Sequence, residues 1–211
     1  IGLVGSEMCI RDRAHSFSDD IISVSRKLAE RFCCDTEHIH QVEIATLKLF
    51  DALRKANHLT KKDRLLLQIA AILHNCGSFL NLNDIGENSY KIVTSTEIIG
   101  LSHQERMIVA YVIRYTTGDF PEYSEIKNEF SREEYIKIAK LNAILCLADA
   151  MDRSHQQKFT NFTVRKRGYD LTITGQTLYD ITLEHGMFIQ KSPFFEEAFG
   201  IRPVLRQKKC L

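Results

Sequence analysis

The chain has 211 residues, which is enough for one domain with a small appendage. Hydrophobic residues make up 44% of it and charged residues 26%, the balance of an ordinary globular protein. The formal net charge of +1 excludes a general attraction to nucleic acid or to an anionic membrane surface, and no apolar run reaches the roughly 18 residues of a transmembrane helix. We therefore expect neither a nucleic-acid partner nor a membrane partner.

The six cysteines follow no metal-binding or redox spacing, because Cys33 and Cys34 are adjacent and the others are scattered. Free cysteine packs readily as a small hydrophobic residue, and the cytoplasm keeps thiols reduced. We therefore expect buried free thiols in a cytoplasmic protein.

Residues 1–13 need separate treatment, because their apolar residues follow no consistent helical or strand period. A signal peptide places its charged residues before its apolar stretch, and here they come after it. The run resembles the in-frame translation of a sequencing adapter. We interpret residues 1–13 as a non-native leader.

The first predicted elements are three helices. Apolar residues repeat with a helical period over residues 18–32, and Asp35 is a good N-cap for a second helix. Thr60 opens a third helix with a capping box. That helix ends at the corner formed by His74–Asn75.

The next predicted elements alternate between loops and helices. Residues 81–87 form a polar loop, and a short helix follows over residues 88–97. Capping boxes at Ser102 and Ser131 mark the starts of two longer helices. Residues 116–130, between those helices, are predicted to be a loop.

The pattern changes after residue 157. Residues 162–165 and 169–174 are rich in β-forming residues, and a helix is predicted over residues 181–198, with a last strand over 201–205. The fold class is therefore mainly α.

This pattern divides the chain into a helical body over about residues 14–157 and a small α+β subdomain over residues 158–211. The second part is the more basic, with 9 Lys and Arg against 5 Asp and Glu, a net charge of +4. A cationic surface of this kind suits an anionic ligand.

Seven short motifs follow one another from the second helix to the C-terminus. They are Glu37–Val42, Leu49–Leu53, Ala70–His74, Asn88–Val93, Ile113–Tyr115, Leu147–His155 and Phe194–Leu205. In sequence and order they resemble the C-terminal region of the exopolyphosphatase / guanosine-pentaphosphate phosphatase (Ppx/GppA) family. The resemblance covers the chain from about residue 14 and implies an HD-domain-like helical bundle followed by the small α+β part.

The resemblance also implies a parent hydrolase that releases the terminal phosphate of polyphosphate or of pppGpp. In that family an N-terminal pair of actin-like domains carries the phosphate loops, and Mg²⁺ is expected there. The ten glycines of this chain form no phosphate-loop pattern, so we assign no catalytic residue and expect no cofactor in this fragment. Its expected role is in the substrate channel and in the homodimer of the full protein.

The same resemblance implies a set of positions that hold metal in HD-type hydrolases. They are His38, His74, Asn75, Asn88, Thr116 and Asp149. Three of them carry Asn, Asn and Thr where the pattern has Asp, His and His, and amide and hydroxyl oxygens are weak ligands. We therefore predict a degenerate site without metal, in which the two histidines and the aspartate form a hydrogen-bonded cluster. A weakly bound single Zn²⁺ and a repurposed ligand pocket are the alternatives.

Cationic side chains near the junction of the two parts are candidates for binding a phosphate chain. They are Arg114, Arg153, His155, Lys158, Arg165 and Lys166. Each phosphate of such a chain is anionic, and the planar Arg fork suits bidentate phosphate contacts. The alternative is a solvated basic strand, and for His155 a residue favoured by the helix dipole.

Two other functions remain open from the sequence. One is a stand-alone HD-type nucleotide phosphohydrolase with its own metal. The other is a non-catalytic module that binds polyphosphate or (p)ppGpp. Metal content separates the first from the second, because only the hydrolase needs an ion.

Overall fold

The computed structural model describes residues 4–54 and 57–208, with side chains from residue 17 onward. Within these ranges the chain forms eight α-helices and one three-stranded sheet, so the predicted mainly α fold with a small α+β C-terminal part is confirmed. The helices are α1 (Val4–Arg31), α2 (Thr36–Leu53), α3 (Lys61–Leu73), α4 (Ile85–Ser95), α5 (His103–Arg114), α6 (Tyr123–Ile126), α7 (Arg132–Ala150) and α8 (Thr182–Phe199). The strands are β1 (Asn161–Arg167), β2 (Asp170–Gln176) and β3 (Arg202–Lys208).

The predicted helix starts are confirmed where a capping residue announces them. The Asp35 carboxylate accepts a hydrogen bond from the backbone N–H of His38 at the start of α2. Capping boxes at Thr60, Ser102 and Ser131 open α3, α5 and α7. These caps satisfy backbone donors that have no partner within the helix.

Three bounds differ from the sequence prediction. Helix α4 begins at Ile85, inside the predicted loop, because Gly86 lets its first turn lie against the carbonyl of Arg114, where a Cβ would come within 2.3 Å. The short helix α6 lies in the predicted loop between α5 and α7. Helix α1 begins at Val4 rather than near residue 18. Residues 1–3 of the predicted leader lie outside the described residues, and its interpretation as non-native stays a prediction.

The sheet has the strand order β1-β2-β3, with β1 antiparallel to β2 and β2 parallel to β3. Helix α8 makes the crossover between the parallel strands and ends at Gly200, whose φ of 62° is left-handed. The sheet face toward the helices is apolar, with Leu171 and Ile173 fully buried. The other face carries exposed polar side chains.

One hydrophobic core runs through both parts of the chain. Phe159, Phe188 and Phe195 from the C-terminal part belong to the same buried cluster as the helical body. The Gln41 side-chain amide donates to the Phe159 carbonyl, and Lys48 Nζ donates to the Phe162 carbonyl at 3.1 Å. Helix α2 therefore carries both the site described below and the support for the sheet. Among the described residues, no helix has the length and apolar character needed to cross a membrane.

Candidate functional site

Two histidines and one aspartate from three helices converge at a helix junction. His38 lies in the first turn of α2, His74 caps the C-terminus of α3, and Asp149 lies in the last turn of α7. The two Nε2 atoms are 3.2 Å apart, and Asp149 Oδ1 lies 3.3 Å from that of His38 and 3.5 Å from that of His74. The sequence predicts that the three groups converge from the ends or middles of different helices, and in the structure all three lie at helix ends.

The other nitrogen of each ring is held by an acceptor. His38 Nδ1 lies 2.9 Å from Asp152 Oδ2, and His74 Nδ1 lies 2.7 Å from the carbonyl of Ala71. Because a carbonyl only accepts, we assign the proton of neutral His74 to Nδ1, which leaves its Nε2 as a bare acceptor. With His38 also neutral, two nitrogen lone pairs would face each other and the Asp149 carboxylate. The cluster therefore needs a cation at its centre, either a proton or a metal ion.

A proton satisfies this requirement at neutral pH. Burial by itself lowers the pKa of His38, but hydrogen bonds to Asp149 and Asp152 outweigh it and raise the pKa to about 9. Burial by itself raises the pKa of Asp149, but its hydrogen bond with the protonated His38 holds it far below its ordinary value. An imidazolium between two carboxylates therefore forms a satisfied cluster without metal.

A single metal ion also fits the donor set. Two ligands at about 2.0–2.2 Å from a tetrahedral zinc lie about 3.3–3.6 Å apart, close to the distances between the three donor atoms here. The acceptors on both Nδ1 atoms are the supports that metal-bound histidines use. His38, His74 and Asp149 would hold the ion, which in a hydrolase acidifies a bound water.

The neighbouring positions do not fit a second ion. Thr116 Oγ1 donates to the Ile113 carbonyl at 2.9 Å. The Asn88 amide is directed to the Asn81 carbonyl, 3.5 Å away, and Asn88 does not line the cavity beside the cluster. Asn75 lines that cavity but carries a neutral amide.

The cavity has a volume of about 370 Å³ and opens beside the cluster. Six of the residues singled out in the sequence line it: His74, Asn75, Thr116, Asp149, Arg153 and His155. The ring of His155 stacks on that of His38, with centroids 3.6 Å apart, and its Nδ1 lies 3.0 Å from Asp35 Oδ2. His155 therefore covers His38, which is 1% exposed.

The predicted phosphate-binding residues do not form one track. Arg153 faces the cavity, 3.7 Å from Asp149. Arg114 is paired with Glu87 at 2.7 Å and lies over the Tyr90 ring. Lys158 is 11% exposed and paired with Glu184. The charges of Arg114 and Lys158 are therefore already neutralised within the protein.

Arg165 and Lys166 lie on β1, in a different place from the cavity. Arg165 lies on the outward face of the sheet, beside a second cavity of about 450 Å³ that Thr163 and Lys208 also line. The registered strand pairs add Arg206 to this face. Lys166 is the next residue along β1 and alternates to the opposite face.

Two residues that matter for the cluster were not singled out from the sequence. Asp152 orients His38, and Asp35, expected only as a helix cap, holds His155. Asp152 follows Asp149 by three residues at a helix end, a spacing that puts both carboxylates on one side. That spacing could have identified Asp152 from the sequence.

The fold and the site define a mainly helical domain with a buried histidine–carboxylate cluster and a small basic sheet. The family model described as Ppx/GppA phosphatase, domain III, matches residues 22–191, and the chain belongs to this family. The resemblance seen in the sequence is thereby confirmed. No curated protein matches the chain.

Proposed function

We propose that this chain is the HD-like C-terminal region of an exopolyphosphatase or guanosine-pentaphosphate phosphatase, and that it binds the phosphate chain without cleaving it. The observation that carries this proposal is the ligand set at the helix junction. Of that set, only His38, His74 and Asp149 carry side chains that bind metal ions strongly. A protonated His38 satisfies the hydrogen bonding of these three side chains without metal. A site with at most one ion lacks the pair of metals that clamps both oxygens in phosphate displacement.

The cleaving groups are proposed to belong to an N-terminal actin-like domain pair of the parent protein. That part would supply the phosphate loops, Mg²⁺ and the attacking water, and the parent would be a cytoplasmic homodimer. The present domain would lengthen the substrate channel and contribute to the dimer interface.

The proposed contact with the phosphate chain is the outward face of the sheet, together with Arg153 at the cavity. The strand pairs align Thr163 with Thr174 and Thr174 with Arg206, and Arg165 lies two residues along β1. Hydroxyl donors beside guanidinium groups suit phosphate oxygens. Arg165 and Arg206 are exposed, so they reach a ligand without breaking a buried ion pair.

Phosphate release tests the non-catalytic part of the proposal. The purified chain is incubated with long-chain polyphosphate, and separately with pppGpp, in the presence of Mg²⁺, Mn²⁺ or Zn²⁺. We expect no release above the protein-free control. Metal-dependent release that disappears in His74→Ala would contradict the proposal and favour the stand-alone hydrolase.

A second candidate function, a single-metal phosphohydrolase, is favoured by the spacing of the three donor atoms. Elemental analysis of protein purified without chelator separates the two candidates. We expect less than about 0.1 Zn, Mn or Fe per chain, since the imidazolium form of His38 cannot ligate a metal. About one ion per chain, lost in His74→Ala but kept in the exposed-histidine variant His40→Ala, would favour the second candidate.

A further inference from the structure

Two buried thiols that take no part in the proposed function lie in contact. Cys34 is in the linker between α1 and α2, and Cys76 begins the 3-10 helix that follows α3. Their Sγ atoms are 3.3 Å apart, and the residues are 7% and 0% exposed. They are 42 positions apart in the sequence, so the fold alone brings them together.

The backbone holds both cysteines in place. The Cys34 N–H donates to the Ala29 carbonyl at 3.1 Å, at the end of α1. After Cys76, the Gly77 N–H donates to Ser89 Oγ at 2.7 Å. A disulfide has its sulfurs about 2.05 Å apart, so the bond requires the two thiols to approach by only about 1.2 Å.

The two sulfurs differ in reactivity. The hydrogen bond with Cys76 lowers the pKa of Cys34, because one thiol stabilises the other as a thiolate. Cys34 is also the more exposed of the two, 7% against 0%, so we assign it as the sulfur that an oxidant reaches first and Cys76 as the resolving thiol.

We propose that Cys34 and Cys76 are a reversible disulfide-forming site, oxidised by hydrogen peroxide. The bond would join the α1–α2 linker to the end of α3. Both segments border the 370 Å³ cavity, because Asp35 follows Cys34 and Asn75 precedes Cys76. Oxidation would therefore fix two walls of that cavity relative to each other.

The reaction balances with one peroxide per disulfide. The Cys34 thiolate attacks the O–O bond, forms an S–O bond and expels hydroxide, which leaves as water after taking a proton. Cys76 sulfur then attacks Cys34 sulfur, the S–O bond breaks, and its oxygen leaves as a second water with the proton of Cys76. Two thiols are oxidised and the peroxide is reduced to water.

Hydrogen peroxide titration of the whole chain tests this site. A Cys9→Ser/Cys210→Ser background removes the two cysteines whose side chains lie outside the described residues. After peroxide treatment we expect the intact mass to fall by two hydrogens, and after alkylation and digestion we expect a linked Cys34–Cys76 peptide, both reversed by dithiothreitol. Closing a loop of this length restricts the unfolded chain, so the Tm should rise by roughly 5–10 °C.

Single variants identify the reacting sulfurs. In that background, Cys34→Ser and Cys76→Ser should abolish both the link and the rise in Tm, while Cys146→Ser, at another buried thiol, should keep them. Cys33→Ser should also keep them, since the exposed Cys33 is only a neighbour. Mapping of the unmutated pair does not depend on how the variants fold. A bridge through Cys33, or thiols that stay fully alkylatable at peroxide levels that oxidise a free thiol, would overturn the proposal.

Discussion

The helix junction and the outward sheet face both hold charged side chains, but the physical environments of the two regions differ. At the junction, His38 is removed from water and the Asp149 side chain is only 16% exposed, so each charge depends on a specific partner within 3.5 Å. On the sheet, Arg165 and Arg206 are exposed and screened by solvent. We therefore expect charge at the junction to affect stability, whereas charge on the sheet is accessible from solvent.

Removing the junction carboxylate should give the largest effect. Asp149→Asn leaves the buried His38 imidazolium with one carboxylate and His74 with none. Breaking a buried ion pair typically costs about 3–5 kcal/mol, and we expect a loss of that order in the free energy of unfolding. Urea denaturation followed by circular dichroism measures it.

The matched control for that variant is Asp51→Asn. Asp51 pairs with Arg64 at 2.9 Å but is half exposed, so the loss should stay below about 1 kcal/mol. Equal losses in the two variants would show that the junction carboxylate contributes no more to the free energy of unfolding than an exposed carboxylate does.

The pH dependence of stability should reveal the proton in the junction. The pKa of His38 is about 9 in the folded protein and about 6.5 when unpaired. The folded state holds the proton of His38 more tightly than the unfolded state does. The stability that this protonation contributes is therefore fully present below about pH 6.5 and is lost as the pH rises through 9. The free energy of unfolding should fall over that interval by at most about 3 kcal/mol.

Two glutamine variants on the same helix test whether this pH dependence comes from His38. His38→Gln should remove the loss of stability between pH 6.5 and 9, whereas His40→Gln, at an exposed histidine, should keep it. A loss that persists in His38→Gln would assign the titration to another group. Added Zn²⁺ that restores stability at pH 9 in the unmutated protein would indicate that an ion takes the place of the proton.

The two regions also differ in how far the sequence predicted them. The Asp35 cap sets the start of α2 locally, so the helix end that carries His38 could be located from short-range rules. The end of α3 that carries His74 was located from the His74–Asn75 corner in the sequence. The pairing of Arg114 with Glu87 could not be predicted from short-range rules, because it depends on how α4 packs against α5. Tertiary pairing therefore determines which of the candidate cations are neutralised within the protein.

Reversing charge on the sheet should change binding and leave stability nearly constant. Arg165→Glu/Arg206→Glu should weaken long-chain polyphosphate binding at low salt by tenfold or more, about 1.4 kcal/mol. Neutralised cations no longer release counterions, so the salt dependence should also become shallower. Fluorescence anisotropy with labelled polyphosphate across a salt series measures both.

The control for the sheet is the same charge change elsewhere. Lys61→Glu/Arg132→Glu alters exposed cations at the starts of α3 and α7. It should reduce binding by less than threefold. Equal reductions would mean diffuse attraction rather than a binding face, and no binding by the unmutated chain at low salt would leave the sheet without this role.

The smallest effect on stability and binding is expected when the substitution made at Asp149, Asp to Asn, is made at Asp170 on the sheet. Within the described strands, Asp170 is the one acidic residue on the outward face, where it pairs with Arg202 at 2.9 Å. Asp170→Asn should cost less than about 1 kcal/mol of stability, because both partners are exposed. It also releases Arg202 and removes a negative charge, so polyphosphate affinity should rise about two- to threefold. The same chemical change would thus destabilise the protein at Asp149 and improve ligand binding at Asp170. Weaker binding in Asp170→Asn would show instead that this carboxylate positions Arg202 for the phosphate chain.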